Sequence, residues 1–212
     1  MTRPRLLLAD DHAVFLEGLK KILEPDFELV GEVHDGRSLV EAAKKHRPDV
    51  VVADVTMPHL NGIEATRALR ETGLHLKVVL LTMHDDAVYA TEALRAGVSG
   101  YVLKTAPSAE LLTAIREALK GNLYVAPSIA KEVFELLSAT PRRGEEERQK
   151  LTVRQLEVLQ LIVKGLSAKE IAHRLGIAQR TAEHHKYNMM EDLGIKTTAE
   201  LIQYAVKKNL VS

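Results

Sequence analysis

The chain has 212 residues, of which 46% are hydrophobic and 27% charged, a balance that is ordinary for one or two globular domains. It contains no cysteine, which excludes disulfide bonds, thiolate metal sites and a cysteine nucleophile. The formal net charge is +0, but residues 1–125 carry 15 Lys/Arg and 18 Asp/Glu whereas residues 151–212 carry 9 and 6. The basic excess in the second half suggests an anionic partner there.

Short apolar runs alternate with segments of helical periodicity through the first 121 residues. The runs predict five strands, at residues 6–9, 29–33, 50–53, 78–81 and 101–103. The segments between and after them predict helices at residues 12–23, 39–45, 63–69, 87–96 and 111–119. Because the runs have no polar alternation, both faces of each strand should be buried, which indicates a parallel sheet covered by helices on both sides.

Polar residues follow four of these strands at their carboxyl ends. Asp10 and Asp11 follow the first strand, Asp54 the third, Thr82 the fourth and Lys104 the fifth. Each alone has an ordinary explanation, such as a helix cap or a solvated charge. Together they favour a functional site, because ligands of parallel sheets bind at the carboxyl ends of the strands.

Clustered carboxylates repel one another unless a cation lies among them. Mg²⁺ prefers a few carboxylate and carbonyl oxygens together with water. We therefore predict a Mg²⁺ site formed by Asp11 and Asp54, with Asp10 acting directly or through water and the backbone carbonyl of Thr56 as a candidate ligand.

A carboxylate can also attack phosphorus and form an acyl phosphate. Phosphoryl transfer depends mainly on positioning and on charge neutralisation. Asp54 is the candidate nucleophile, and Lys104 and the Thr82 hydroxyl are candidates to contact the phosphoryl oxygens.

Longer strings around these residues resemble the receiver domain of two-component response regulators, over roughly residues 4–121. The strings are LADDH (8–12), DVTMP (54–58), NG (61–62), LTMHDD (81–86) and GYVLK (100–104). The resemblance implies a flavodoxin-like α/β domain with a five-stranded parallel sheet. It implies that Asp54 is the phosphoacceptor, that a sensor histidine kinase is the donor, and that Asp10 and Asp11 organise Mg²⁺. It further implies that Thr82 and Tyr101 form a switch pair.

The rest of the chain shows no strand pattern. Residues 122–150 read as a linker with a possible helix at 129–137 and a polar stretch after it. Capping-box spacings at Thr152, Ser167 and Thr197, together with a turn near Gly176, predict four helices at residues 153–164, 168–175, 179–192 and 198–208. The predicted domains are therefore 1–121, the linker 122–150, and an all-α four-helix domain at 151–212.

Residues 166–193 read as a helix-turn-helix, whose second helix enters the major groove of DNA in such motifs. A solvated face of any small helical bundle is the alternative. Polar side chains that could contact phosphates or base edges are Lys169, Gln179, Arg180, Thr181, Glu183, His184, Lys186 and Asn188.

The strings LTVRQLEVL (151–159), GLSAKEIA (165–172) and TAEHHK (181–186) resemble the LuxR-type DNA-binding domain. Joined to a receiver, the whole chain resembles the NarL/FixJ family of response regulators. The resemblance implies a transcription regulator rather than an enzyme, bound to operator DNA as a homodimer, with RNA polymerase as a further candidate partner. It implies a dimer contact on the last helix, formed by Leu201, Ile202 and Ala205.

Some residues depart from the family pattern. Ala178 stands where a serine cap is usual, and the acidic pair Glu191 and Asp192 stands where basic residues are common. A missing cap should cost the second helix about 1 kcal/mol. Acidic side chains near a DNA backbone should lower the affinity for DNA.

An Asp-nucleophile phosphatase of the haloacid-dehalogenase type is the main alternative. It would place its nucleophile after the first strand with a second Asp two residues on, whereas Asp54 follows the third strand and Thr56 stands at that position. A regulator independent of phosphorylation is a third hypothesis, which the complete set of polar strand-end residues disfavours.

No apolar stretch approaches the roughly 20 residues of a membrane span, so we expect a cytoplasmic protein without a membrane partner.

Overall fold

A computed structural model describes residues 3–83, 85, 87–138, 151–207 and 210. The chain divides into two units, residues 1–137 and 138–212, and each is described by itself.

The first unit is built on a parallel β-sheet. Its strands within the described residues are β1 (Arg5–Ala9), β2 (Glu28–Val33), β3 (Val50–Asp54), β4 (Lys77–Thr82), β5 (Gly100–Leu103) and β6 (Tyr124–Val125). They lie in the order β2-β1-β3-β4-β5-β6, and every neighbouring pair is parallel. The predicted parallel sheet is confirmed, with one strand more than the five that the sequence pattern predicts. The extra strand has two residues, too few to give a periodic pattern.

Helices cover both faces of the sheet. The helices of this part of the chain are α1 (Ala13–Leu23), α2 (Gly36–His46), α3 (Gly62–Glu71), α4 (Ala87–Ala96), α5 (Ser108–Lys120) and α6 (Pro127–Ser138), of which α1 to α5 pack around the sheet. The α6 helix occupies the place of the possible helix in the predicted linker, and the polar stretch after it lies largely outside the described residues.

The continuous apolar character of the central strands follows from burial on both faces. Leu6 and Leu8 of β1 belong to one core cluster with residues of α1 and α5, such as Leu16 and Ile115. Leu7, between them, is equally buried, and strand alternation directs it to the opposite face. Because helices cover both faces of the sheet, the rim at the strand ends is the place where polar side chains can lie together.

The start of α3 lies directly against the end of β3. A Cβ atom on Gly62 would overlap the backbone oxygen of Asp54, and the Gly62 amide donates a hydrogen bond of 2.8 Å to the carbonyl of Val55. Asn61 caps α3 in a capping box with Glu64. Glycine is required at this position because the two backbones approach so closely, and the contact fixes Asp54 at the rim.

The regular secondary structure in the described residues of the second unit is entirely helical. Its helices are α7 (Val153–Val163), α8 (Ala168–Leu175), α9 (Gln179–Asp192) and α10 (Thr198–Lys207). The capping boxes that begin with Thr152 and Ser167 are present, and Thr197 and Glu200 exchange the same pair of hydrogen bonds. Gly176 ends α8 with φ +61°, a left-handed conformation that suits glycine. The predicted four-helix arrangement is confirmed.

A buried ion pair ties α7 to the helix-turn-helix. Arg154 Nη1 lies 2.7 Å from Glu157 Oε2, and Arg154 Nη2 donates a hydrogen bond of 3.0 Å to the carbonyl of Leu175 at the end of α8. Both charged side chains are at most 4% exposed. Arg154 therefore satisfies one of the carbonyls that the end of a helix leaves without an intrahelical donor.

In the part of the chain that the structure describes, no helix combines the length and the apolar character that crossing a membrane requires.

Candidate functional site

Two carboxylates and one ammonium form an ion network at the carboxyl rim of the sheet. Lys104 Nζ lies 2.6 Å from Asp10 Oδ2 and 2.7 Å from Asp54 Oδ2. Thr82 ends β4 one residue beyond Leu81, the register partner of Asp54, and its backbone oxygen accepts a hydrogen bond of 2.7 Å from the Lys104 amide. The structure thus brings together residues that lie up to 94 positions apart in the sequence, from Asp10 to Lys104.

The rim also has a donor set that suits a divalent cation. Asp10, Asp11, His12 and Asp54 each offer one ligand atom, and these atoms lie within 4.8 Å of one another. Carboxylate oxygens are the ligands that Mg²⁺ prefers, so the donor set fits the predicted ion. The Thr56 amide lies 3.3 Å from Asp54 Oδ1, which places Thr56 beside the cluster, and the role of its carbonyl stays a prediction.

His12 is a member of this cluster that the sequence analysis did not single out. Its Nδ1 lies 2.8 Å from Asp11 Oδ1 and 3.2 Å from Asp10 Oδ1, and its amide donates to Asp10 Oδ1. Its position directly after the acidic pair is the sequence signal that could have revealed it.

Burial and charge act in opposite directions on the two central ionisable groups. Burial raises the pKa of Asp54 to about 6, although the Lys104 ammonium lowers it. Burial by itself would lower the pKa of Lys104, but the adjacent carboxylates of Asp54 and Asp10 outweigh it, so the pKa lies above its usual value. Lys104 therefore remains a cation, and further positive charge beside Asp54 would favour the ionised, nucleophilic form of that carboxylate.

Both residues of the predicted switch pair are in the interior. Thr82 and Tyr101 have no exposed surface, and Tyr101 pairs in register with Leu80 of β4. The two residues therefore lie on the adjacent strands β4 and β5. Their action as a switch stays a prediction.

The predicted DNA contacts differ in their exposure. The exposed ones are Lys169 on α8 and Gln179, Arg180, Thr181 and His184 on α9. The partly buried ones are Glu183, Lys186 and Asn188. Gln179 Nε2 donates to Glu183 Oε1 at 2.9 Å, and Asn188 Nδ2 donates to His184 Nε2 at 3.1 Å. These side chains form a polar surface on α9, while Ala182 and Met189 are buried.

Tyr187 is a surface residue of α9 that the sequence analysis did not include. Its side chain is 59% exposed, and Lys186 Nζ lies 4.7 Å from the centroid of its ring. An exposed aromatic residue among polar neighbours on this helix was the available sequence signal. Large exposed aromatic side chains are well suited to contact a partner.

The α9 helix begins without a side-chain cap, as the sequence predicts. Ala178 is the N-cap residue and makes no capping hydrogen bond. Because Ala178 is exposed and has extended backbone, a serine fits there without displacing its neighbours. We expect Ala178→Ser to stabilise the second unit by about 1 kcal/mol. Urea unfolding checks this, with Ala199→Ser as a control at an exposed position one residue inside α10, and equal stabilisation by both variants would contradict a capping effect.

The residues of the predicted dimer contact are buried to different extents within a single chain. Leu201 and Ala205 have no exposed surface within a single chain, and Ile202 is partly buried. Leu201 and Ala205 thus belong to the core of their own unit, and the dimer contact on α10 stays a prediction. The exposed residues of this helix include Ala199, Gln203 and Val206, of which Val206 is 57% exposed.

Comparison with known families assigns both units. Residues 6–116 match the response regulator receiver domain, and residues 149–205 match the luxR family of bacterial regulatory proteins. The protein belongs to the NarL/FixJ family of response regulators. It is a two-component response regulator with a LuxR-type DNA-binding domain.

Relatives match this NarL/FixJ regulator over nearly its whole length. Oxygen regulatory protein NreC of Staphylococcus carnosus (strain TM300) is 36% identical over 214 residues, covering 98% of this chain and 99% of NreC. Transcriptional regulatory protein DegU of Brevibacillus brevis is 32% identical over 223 residues, covering 98% of this chain and 94% of DegU.

Solved structures support the same assignment. A LuxR-family two-component response regulator from Aurantimonas sp. SI85-9A1 is 36% identical with a TM-score of 0.61, covering 65% of this chain and 100% of that one. The RcsB response regulator of Salmonella typhimurium is 25% identical with a TM-score of 0.68, covering 98% of this chain and 99% of that one. RcsB in a complex with DNA is 26% identical with a TM-score of 0.58, covering 97% and 98%.

Proposed function

We propose that Asp54 accepts a phosphoryl group from the phosphohistidine of a sensor kinase, and that this controls the binding of operator DNA by the second unit. The observation that carries the proposal is the ion network in which Lys104 Nζ contacts both Asp10 and Asp54. An Asp54 oxygen attacks phosphorus, the bond from phosphorus to the histidine nitrogen breaks, and an acyl phosphate forms. The electron pair of the broken bond returns to the imidazole.

Mg²⁺ is the proposed cofactor, and its role is to neutralise charge on the carboxylates and the phosphoryl oxygens. Asp11 and Asp54 would hold it, with Asp10 and the Thr56 carbonyl as further ligands; the close approach of the carboxylates supports this. Lys104 would contact a phosphoryl oxygen as a point charge. Because the pKa of Asp54 is about 6, a divalent cation would compete with a proton for this carboxylate at about pH 6 and below, and much less at neutral pH.

The response would pass from the rim to the interior through Thr82 and Tyr101. A phosphoryl group adds about 1.5 to 2 negative charges and three acceptor oxygens. Attraction of the Thr82 hydroxyl to this group would change the packing available to Tyr101, which lies on the neighbouring strand. The altered packing on the side of α4, β5 and α5 would then bias the DNA-binding unit.

The position of the nucleophile supports a regulator over a phosphatase. Asp54 ends the third strand of the sheet and is followed two residues later by Thr56, a pattern that offers no second Asp as a general acid. A regulator takes one phosphoryl group per chain, whereas a phosphatase releases phosphate catalytically.

The proposed partners of this regulator are a sensor kinase, operator DNA and a second copy of the chain, with RNA polymerase as a further candidate. Because of these partners, its proposed place of action is the cytoplasm.

The function is tested by phosphorylating the full chain with acetyl phosphate and Mg²⁺. We expect one phosphoryl group per chain by intact mass, a change in oligomeric state by light scattering, and tighter binding to a subset of genomic DNA fragments. Sustained release of phosphate with no accumulation of phosphorylated chain would contradict the proposal and favour the phosphatase.

The DNA-binding surface is tested by its salt dependence. We expect Lys186→Ala to weaken binding to all fragments alike and to reduce the slope of log K against log salt by about 1, because one phosphate contact is lost. Arg180→Ala should act in the same direction, since Arg180 is exposed at the start of α9. Lys164→Ala, exposed at the end of α7, is the matched control. Unchanged binding by Lys186→Ala would remove this residue from the contact surface.

A further inference from the structure

An aromatic ring adjoins the ion network at the rim. The centroid of the Phe15 ring lies 4.6 Å from Lys104 Nζ, within the range of a cation–π interaction. The Lys104 side chain is only 7% exposed, so little water competes for its ammonium group. The described partners of this ammonium are thus the carboxylates of Asp10 and Asp54 and the face of Phe15.

The Phe15 ring is held in place by packing against the core. It lies in the first turn of α1, which begins three residues after Asp10, and it packs against the core cluster shared by α1, α5 and the sheet. The ring is partly buried, and its neighbour Val14 is 88% exposed. Phe15 therefore presents a fixed surface to a long, flexible lysine side chain.

The three partners of Lys104 respond differently to the proposed reaction. A divalent cation would take up the charge of Asp10 and Asp54, and phosphorylation would convert Asp54 into an acyl phosphate. The quadrupole of the Phe15 ring changes in neither step. Repulsion between the metal ion and the ammonium would otherwise favour a retracted, solvated lysine.

We propose that Phe15 is a positioning residue for phosphoryl transfer, whose ring keeps the Lys104 ammonium at the rim after its contacts with the carboxylates are weakened. This inference rests on the proposed function of Asp54. It assigns Phe15 a role through Lys104 rather than through contact with the phosphoryl group.

The test compares variants of the full chain with acetyl phosphate and Mg²⁺, following the phosphorylated fraction by intact mass. Phe15→Leu removes the aromatic face and retains an apolar side chain, and we expect its rate of phosphorylation to fall about fivefold. Phe15→Tyr retains the face and should stay within about twofold of the unaltered chain. Val14→Ala is the matched control at an exposed neighbouring position. Equal rates for Phe15→Leu and the unaltered chain, or equal losses for the Leu and Tyr variants, would overturn the proposal.

A second measurement needs no variant. The ring current of Phe15 should shift the ε-methylene protons of Lys104 upfield in the NMR spectrum, and the shift should persist after addition of Mg²⁺ and acetyl phosphate. Loss of the shift on phosphorylation would show that the ring does not hold the ammonium in the modified state. If the unaltered chain takes no phosphoryl group at all, the proposed function itself fails, and this outcome is distinct from a chain that is labelled regardless of Phe15.

Discussion

Replacement of Asp54 by Asn should abolish labelling of the chain by acetyl phosphate. The amide retains the size of the side chain and can accept a hydrogen bond from Lys104, but it cannot ionise and is not a nucleophile toward phosphorus. Lys104 Nζ contacts Asp54 Oδ2 at 2.7 Å, and no carboxylate oxygen remains there in the variant. We expect a labelled fraction indistinguishable from background by intact mass.

The fold should survive this substitution. Burial raises the pKa of Asp54 to about 6, above the ordinary value of 3.8, so the ionised carboxylate is disfavoured in the folded state. Such a group lowers the free energy of unfolding above pH 6, where it is ionised in both states. This loss of stability disappears as the pH falls toward 4, because the group is then protonated in the folded state. At pH 7 the neutral amide avoids it, so thermal unfolding of Asp54→Asn should begin no earlier than that of the unaltered chain.

Asp26→Asn is the matched control for Asp54. Asp26 is exposed and pairs with Arg116 at the surface, so its replacement should leave labelling unchanged. Labelling of Asp54→Asn at a different residue would refute the assignment of the phosphoacceptor.

Replacement of Arg154 by Leu should unfold or severely weaken the second unit. The change removes the Arg154 cation that pairs with the buried Glu157 carboxylate, and it removes the donor to the Leu175 carbonyl. Breaking a buried ion pair from one side typically costs about 3–5 kcal/mol. A domain of this size has a total stability of about 3–9 kcal/mol, so the loss is comparable to the whole.

Hydrogen exchange followed by mass spectrometry measures this loss locally. Peptides from α7 to α9 should lose protection, while peptides from the sheet of the first unit serve as an internal reference. The double variant Arg154→Leu, Glu157→Leu should recover much of the protection, because replacing a buried ion pair by apolar groups is often neutral. Arg174→Ala, exposed in the last turn of α8, controls for loss of a positive charge. Full protection in Arg154→Leu would contradict a structural role for the pair.

Local patterns predicted much of this molecule correctly. The central strands could be read because burial on both faces leaves no polar alternation, and the rim residues because a change from apolar to charged side chains marks the end of each strand. The capping boxes at Thr152, Ser167 and Thr197 could be read because each depends on residues only three positions apart.

Some of the features that were missed depend on contacts between distant residues. The strand β6 exists because it pairs with β5, and its two residues carry no pattern of their own. Phe15 reaches Lys104 across 89 positions of sequence, so helical periodicity explains its burial but not its neighbour. The family resemblance implied a dimer contact on α10, but an apolar stripe does not distinguish packing in the core of its own unit from contact with a second copy, and Leu201 is buried within its own unit.

The close approach of Gly62 to the backbone of Asp54 has a consequence for reading mutational surveys of this protein. Any side chain at residue 62 has to push the last residue of β3 or the first turn of α3 out of place, and either displacement moves the carboxylate at the rim. A survey that measures transcription would therefore find substitutions of this glycine as damaging as substitutions of the charged residues at the rim, although the glycine supplies no reactive atom. Intolerance to substitution at this position would reflect the close approach of two backbones. A substitution at residue 62 would be tolerated only if the backbone of Asp54 moved away as well.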